Sequence, residues 1–270
     1  MYNPTGFLRA ALPAALEAGK AILEIYAQPT EGWEIEEKAD HTPLTLADRR
    51  ANDIIMRHLR ATGHPILSEE GPLPDYEERK NWPGLWVVDP LDGTSEFLKR
   101  NDEFTVNIAW VQDGRPMAGV IYLPVTHTLY FGMEGMGAFK VGDVTVAKSE
   151  EELIRAAQRL PIEKQHEGFV VVASRSHLSG ETEAYIDLLR KDHPDLSLIS
   201  AGSSMKLCRV AEGSADVYPR FAPTMEWDTA AGDAIVRAAG GEVVDTERHL
   251  PLVYNKADLR NPDFIVTCKS

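Results

Sequence analysis

The spacing of apolar positions changes period along the chain. Near the N-terminus Leu8, Leu12, Ala15, Ile22 and Ile25 fall on one face of a helix, and Pro13 is expected to kink that helix or begin it afresh. A second helix is predicted over 45–60, with Ala51, Ile54, Ile55 and Leu59 facing inward. Then the period shortens. Pro65-Ile66-Leu67 and Leu85-Trp86-Val87-Val88 are short apolar runs bounded by turn residues or charge, and predict buried strands. From 104 onward the pattern predicts an antiparallel meander. Strands over 104–111 and 117–122 are joined at the turn Asp113-Gly114, and 129–133 and 137–141 continue it.

A polar stretch over 148–168 separates this half from one that alternates. Strands are predicted over 169–173, 196–200 and 215–218, and helices over 182–191, 203–212 and 228–239. Strand–helix alternation points to a layered α/β arrangement. The expected domains are 1–147, an N-terminal α+β unit, and 148–270, a C-terminal α/β unit.

Composition narrows the field only a little. The 270 residues are 43% hydrophobic and 26% charged, ordinary for a soluble globular protein. A formal net charge of -14 disfavours binding to a nucleic-acid backbone. It does not exclude a small anionic substrate, because a bound divalent cation reverses the field locally. The two cysteines, Cys208 and Cys268, form no CxxC pair. With no signal peptide and no apolar run long enough to span a bilayer, a cytoplasmic protein is expected.

Candidate chemistry concentrates in three places. Asp89-Pro90-Leu91-Asp92-Gly93-Thr94 follows an apolar run, so both aspartates are expected where a strand ends. Two carboxylates around a turn, with the Leu91 carbonyl, offer the oxygen donors that hard cations such as Mg²⁺ select. Gly93 permits close backbone approach to a ligand. Taken alone, Asp-x-x-Asp-Gly is a common turn. Ser68-Glu69-Glu70-Gly71 follows a second apolar run twenty positions upstream. If the two strands are neighbours, Glu69 joins Asp89 and Asp92 in a cluster that would repel itself without a cation. Third, Asp228 in Glu226-Trp227-Asp228-Thr229-Ala230-Ala231-Gly232 falls in the first turn of a small-residue helix, where a cap is the ordinary role. Asp48 has the same position in the second helix.

Together, Ser-Glu-Glu at 68–70, Asp-Pro-Leu-Asp-Gly-Thr at 89–94 and Trp-Asp-Thr-Ala-Ala-Gly at 227–232 resemble, in order and spacing, the signatures of the inositol monophosphatase superfamily. The similarity covers the whole chain. Stretches 95–101, 103–108, 174–177, 202–206 and 218–221 resemble the bacterial CysQ-type 3′(2′),5′-bisphosphate nucleotidases within it. The resemblance implies an α-β-α-β-α sandwich and a Mg²⁺-dependent phosphomonoesterase that uses metal-activated water. It implies two or three Mg²⁺ held by Glu69, Asp89, the Leu91 carbonyl, Asp92 and Asp228, and 3′-phosphoadenosine 5′-phosphate as substrate. An inositol or sugar phosphate is the alternative.

By the same resemblance Thr94 orients the attacking water and Asp48 pairs with it; whether Asp48–Thr94 or Glu69 takes the proton is left open. Gly93 and Thr94 bind the phosphate that is cleaved. His177, Ser203, Lys206 and Arg220 hold the nucleotide and its remaining phosphate, and Lys38 lies near the family's active-site lysine. The resemblance alone suggests a peripheral location at the inner membrane. The oligomeric state stays open.

Overall fold

The computed structural model describes residues 4–37, 43–144, 150–162, 166–174 and 179–268. The chain begins with α1 (Pro4–Tyr26), then a small hairpin of β1 (Glu36–Glu37) and β2 (Pro43–Leu44), and α2 (Leu46–Arg60). There follow β3 (Ile66–Ser68), α3 (Tyr76–Arg79), β4 (Gly84–Asp92), α4 (Thr94–Leu98), β5 (Thr105–Gln112), β6 (Arg115–Leu123), β7 (Thr128–Met133) and β8 (Gly137–Val141). Next come α5 (Glu150–Ala156), β9 (Gln158–Leu160), β10 (Val170–Ser174), α6 (Gly180–Asp192), β11 (Ser197–Ala201), α7 (Met205–Glu212) and β12 (Val217–Arg220). The described chain closes with α8 (Glu226–Ala238), β13 (Gly241–Asp245) and β14 (Phe264–Cys268).

Seven strands form one sheet in the order β3-β4-β5-β6-β7-β8-β9, antiparallel except for the parallel pair β3–β4. Five form a second, mixed sheet in the order β11-β10-β12-β14-β13. α1 and α2 cover one face of the first sheet, α7 and α8 lie between the sheets, and α6 packs on the outer face of the second. The result is the α-β-α-β-α sandwich. Both faces of β4 are buried, which is why its run is continuously apolar. Trp86 and Val88 face the α1–α2 layer, while Leu85 and Val87 face the interior helices.

Several expectations change. Pro13 neither restarts α1 nor divides it; the helix is continuous from Pro4 to Tyr26. The segment over 148–168 carries α5 and the last strand of the first sheet. The two aspartates do lie at the end of a strand, since β4 closes at Asp92, but the register shifts between Asp89 and Asp92, which the sequence does not predict. The helix predicted from 203 starts at Met205, because Ser203 takes a left-handed φ of 40°. β13 and β14 have no counterpart in the sequence reading.

Candidate active site and metal centre

The irregularity in β4 is what makes the site. Asp89 pairs with Asn107 and Asp92 with Thr105, so three steps on β4 face two on β5, which is one extra residue. In a regular strand, residues three apart point to opposite faces. The bulge cancels that alternation at Pro90-Leu91, a place where proline is tolerated in a sheet. Next door, β3 runs parallel to β4 with Ser68 opposite Val88, and the Glu69 N–H donates to the Val88 carbonyl at 3.1 Å. Glu69 and Asp89 are thereby brought side by side.

The third carboxylate arrives from the interior helix. Asp228, in the first turn of α8, accepts the N–H of Met225 at 2.8 Å. One oxygen each from Glu69, Asp89 and Asp228 lie within 4.8 Å of one another. Burial pushes the Asp89 carboxyl well above the usual range, and the charges of Glu69, Asp92, Asp228 and Asp48 add to it. Asp228 is likewise pushed well up, by burial first and then by Asp92. Such a set is all oxygen, hard, and short of positive charge. It fits a divalent cation such as Mg²⁺ far better than a soft metal.

Asp92 is held differently. Its Oδ2 accepts the Ser204 N–H at 2.6 Å and the Asn107 amide at 3.2 Å. Its pKa is pushed up to about 6 by burial, against the Lys206 charge and those two hydrogen bonds. Thr94 Oγ1 donates to Asp48 Oδ1 at 3.0 Å and lies 3.3 Å from the Leu91 carbonyl. Asp48 is itself buried and anchored. Its Oδ2 accepts the Thr45 N–H at 2.7 Å and the Thr45 hydroxyl at 2.5 Å, and its own N–H donates back to Thr45 Oγ1 at 3.5 Å, which with the first bond completes a capping box at the start of α2.

A cavity of about 140 Å³ shares Asp228 with this cluster and is also lined by Asp92, Ser203, Lys206, Tyr218 and Arg220; Asp92 lies beside the three converging carboxylates and is not one of them. Lys206 is 5% exposed, donates to the Ser203 carbonyl at 2.6 Å and lies 5.5 Å from the centre of the Tyr218 ring. Burial lowers its pKa to about 8 against the pull of Asp92. Arg220 donates to the carbonyls of Ala222 and Pro223, both at 3.1 Å, which fixes the guanidinium along the cavity wall. Ser203 Oγ donates to the Glu103 carbonyl at 3.1 Å. A larger groove of about 800 Å³ lies around Phe221 to Pro223 and Asp245 to Val253, and contains none of the expected site residues.

The fold therefore gathers Asp48, Glu69, Asp89, Asp92, Thr94, Ser203, Lys206, Arg220 and Asp228 into one region. Gly93 joins it with φ of 93°, its Cα so close to Glu103 and Ser203 that a Cβ would lie 3.1 Å from the Glu103 carbonyl. His177 and Lys38 fall outside the described residues. Sequence reasoning missed Thr105, Asn107 and Ser204 as partners of Asp92. The first two carried a signal: polar residues alternating at i and i+2 within an otherwise apolar strand.

Residues 3–267 match the model of the inositol monophosphatase family. The chain belongs to that family. Among its relatives, the 3′(2′),5′-bisphosphate nucleotidase CysQ of Shigella flexneri is 43% identical over 256 residues, covering 94% of this chain and 96% of that protein. The CysQ of Escherichia coli K12 is 42% identical over the same extent. The crystal structure of CysQ from Bacteroides thetaiotaomicron, a bacterial member of the family, aligns with a TM-score of 0.89 and 54% identity, over 97% of this chain and 96% of that one. Members of the family are metal-dependent phosphatases, and the carboxylate cluster gives this chain the donor set such chemistry needs. Among the described residues no helix is long and apolar enough to cross a membrane.

Proposed function

We propose that this chain is a Mg²⁺-dependent 3′(2′),5′-bisphosphate nucleotidase that hydrolyses 3′-phosphoadenosine 5′-phosphate to AMP and phosphate. The observation that carries the reading is the convergence of Glu69, Asp89 and Asp228 oxygens within 4.8 Å, beside a cavity lined by Lys206 and Arg220. Relatives bearing the nucleotidase name at 42–43% identity over 94% of the chain support the choice of substrate.

In this reading Glu69, Asp89, Asp92, Asp228 and the Leu91 carbonyl hold two or three Mg²⁺. The metal supplies Lewis-acid chemistry, neutralising charge on the phosphoryl group and on the departing oxygen. The remaining work falls to the protein. Thr94 has a single hydroxyl proton, directed at Asp48, so its lone pairs face the water that it orients. As water attacks phosphorus in line and the bond from phosphorus to the 3′ oxygen breaks, a water proton passes through Thr94 to Asp48, with Glu69 the competing acceptor, and the departing 3′ oxygen takes up a proton from solvent to become the hydroxyl of AMP. The backbone at Gly93 and Thr94 binds the phosphoryl group. Ser203, Lys206 and Arg220, with His177, hold the nucleotide and its second phosphate, where arginine's forked donors suit an oxyanion. The division of labour follows the two halves, 1–147 for most metal ligands and 148–270 for Asp228 and the substrate contacts.

Lys206→Met and Arg220→Gln test the substrate assignment. Each is expected to raise KM for 3′-phosphoadenosine 5′-phosphate about tenfold or more, ~1.4 kcal/mol of lost binding. Hydrolysis of p-nitrophenyl phosphate, which has no second phosphate, should change far less. Equal losses on both substrates, or none on the nucleotide, would remove the basis for the assignment.

A further inference from the structure

Asp92 ends a chain of buried donors that metal ligation by itself does not call for. Behind the two hydrogen bonds to its Oδ2, Thr105 Oγ1 lies 2.7 Å from Ser204 Oγ, and Ser204 Oγ donates to Asn107 Oδ1 at 2.7 Å. Proton counting fixes the direction. Asn107 must present its NH₂ to the carboxylate, so its carbonyl faces the hydroxyls. Ser204 gives its one O–H proton to that carbonyl, which leaves the Thr105 proton for Ser204 Oγ. Thr105 Oγ1 also lies 3.1 Å from Asn107 Oδ1 and 3.5 Å from Asp92 Oδ2, longer approaches than the 2.7 Å bond. The chain runs one way, Thr105 to Ser204 to Asn107 to Asp92.

Its members are almost completely buried, at 0% exposure for Thr105, 1% for Asn107 and 2% for Ser204, so bulk water does not compete for these donors. It also crosses the molecule. Ser204 is 112 positions from Asp92 and precedes α7, the helix that carries Lys206. One residue thus touches Asp92 twice, directly through its N–H and indirectly through its hydroxyl and Asn107.

We propose that Asn107 and Ser204 are positioning residues for Asp92. They pin Oδ2 and leave Oδ1 to the site, so a hydroxyl from the second half of the chain helps set the metal affinity of a carboxylate in the first. The inference rests on the metal reading of Asp92, and the experiment separates the two. Mg²⁺ is titrated calorimetrically into the full-length protein without substrate, for wild type, Ser204→Ala, Ser204→Thr, Asn107→Ala and Asp92→Asn. Melting temperatures without Mg²⁺ are read in parallel.

Ser204→Ala deletes one oxygen and keeps the backbone N–H, so it tests the chain even if Asn107→Ala fails to fold. The Mg²⁺ Kd should rise about tenfold in Ser204→Ala and further in Asn107→Ala, the range for losing a group that orients a metal ligand. Ser204→Thr, which keeps the hydroxyl, should restore it. A lowered melting temperature with unchanged Mg²⁺ Kd in Ser204→Ala would make the network purely structural and overturn the proposal. Asp92→Asn should lose Mg²⁺ binding. If it binds as wild type does, the metal reading of Asp92 fails and takes the proposal with it. If only Asp92→Asn loses Mg²⁺, the proposal alone fails.

Discussion

Asp48 and Asp228 occupy the same local position, the third residue of a helix, and each caps that helix by accepting the N–H of the residue before it. Read in isolation, a cap is the sufficient explanation for both. In the fold the cap and the site role coincide, because a carboxylate has two oxygens. Asp48 spends Oδ2 on Thr45 and offers Oδ1 to Thr94. Anchoring of this kind holds a proton acceptor in one orientation. Asp48→Asn and Thr94→Ala should each lower kcat by about 10²–10³, and the double variant should lose little more than either single one. Steady-state phosphate release decides this; additive losses would show that the two act separately. If Asp48→Asn keeps wild-type turnover while Glu69→Gln does not, Glu69 is the acceptor. At Gly93, φ is 93° and an added methyl would stand 3.1 Å from the Glu103 carbonyl, so Gly93→Ala should cost roughly 1–2 kcal/mol in urea unfolding. The same change should displace Thr94 and reduce turnover.

α8 is the element that brings Asp228 to the cluster, and it reaches its place by lying unusually close to the first sheet. A Cβ at Gly119 of β6 would stand 2.2 Å from the Ala231 carbonyl of α8, backbone against backbone, where no side chain can move aside. Gly119→Ala should therefore push the helix away, cost ~1–3 kcal/mol or more, and weaken Mg²⁺ binding through Asp228. Gly180→Ala, where a Cβ meets nothing within 4 Å, is the control and should change neither. Differential scanning fluorimetry with and without Mg²⁺ reads both effects.

How much the sequence reveals differs along these elements. Glu69, Asp89, Asp92 and Asp228 could be named because each lies in a contiguous motif beside an apolar run or a helix start. The parallel pairing of β3 with β4, on which the cluster depends, could be stated only as a condition, since register is a property of two strands. The contact of Ser204 with Asp92 depends on the bulge and on the approach of α7, and nothing local encodes either. β13, with only Val243 and Val244 as an apolar pair, gives a weak strand signal; β14, Phe264-Ile265-Val266-Thr267-Cys268, gives a clear one that the periodicity reading passed over. The five-layer order came from family resemblance, because strand order across two sheets is not written in periodicity.

Across the whole molecule, Glu212 of α7 fastens the interior helix layer to the first sheet. It accepts from Tyr130 at 2.7 Å and Lys140 at 2.6 Å through one oxygen, and from Arg209 at 3.0 Å and Ser214 at 2.7 Å through the other. Hydrogen bonds from Lys140, Ser214 and Tyr130 outweigh the opposing, individually larger effect of burial, and its pKa falls below the usual 4.5. A depressed folded-state pKa contributes stability that is fully present above the unfolded value and is lost as pH falls through the folded one. Glu212→Gln should therefore melt lower than wild type by a constant gap at neutral pH. As pH falls below 4.5 that gap should narrow, closing once Glu212 is protonated in the wild type. A gap that is independent of pH would assign the loss to packing.

The central claim is a metal-dependent preference for a bisphosphate nucleotide. Phosphate release from 3′-phosphoadenosine 5′-phosphate and from inositol 1-phosphate, measured side by side with and without Mg²⁺, tests it most directly. The account predicts release from the nucleotide only with Mg²⁺, with a kcat/KM at least about tenfold above that for inositol phosphate, ~1.4 kcal/mol of discrimination. Preference for inositol phosphate would keep the carboxylate site and contradict the substrate, and equal release without Mg²⁺ would contradict the site itself.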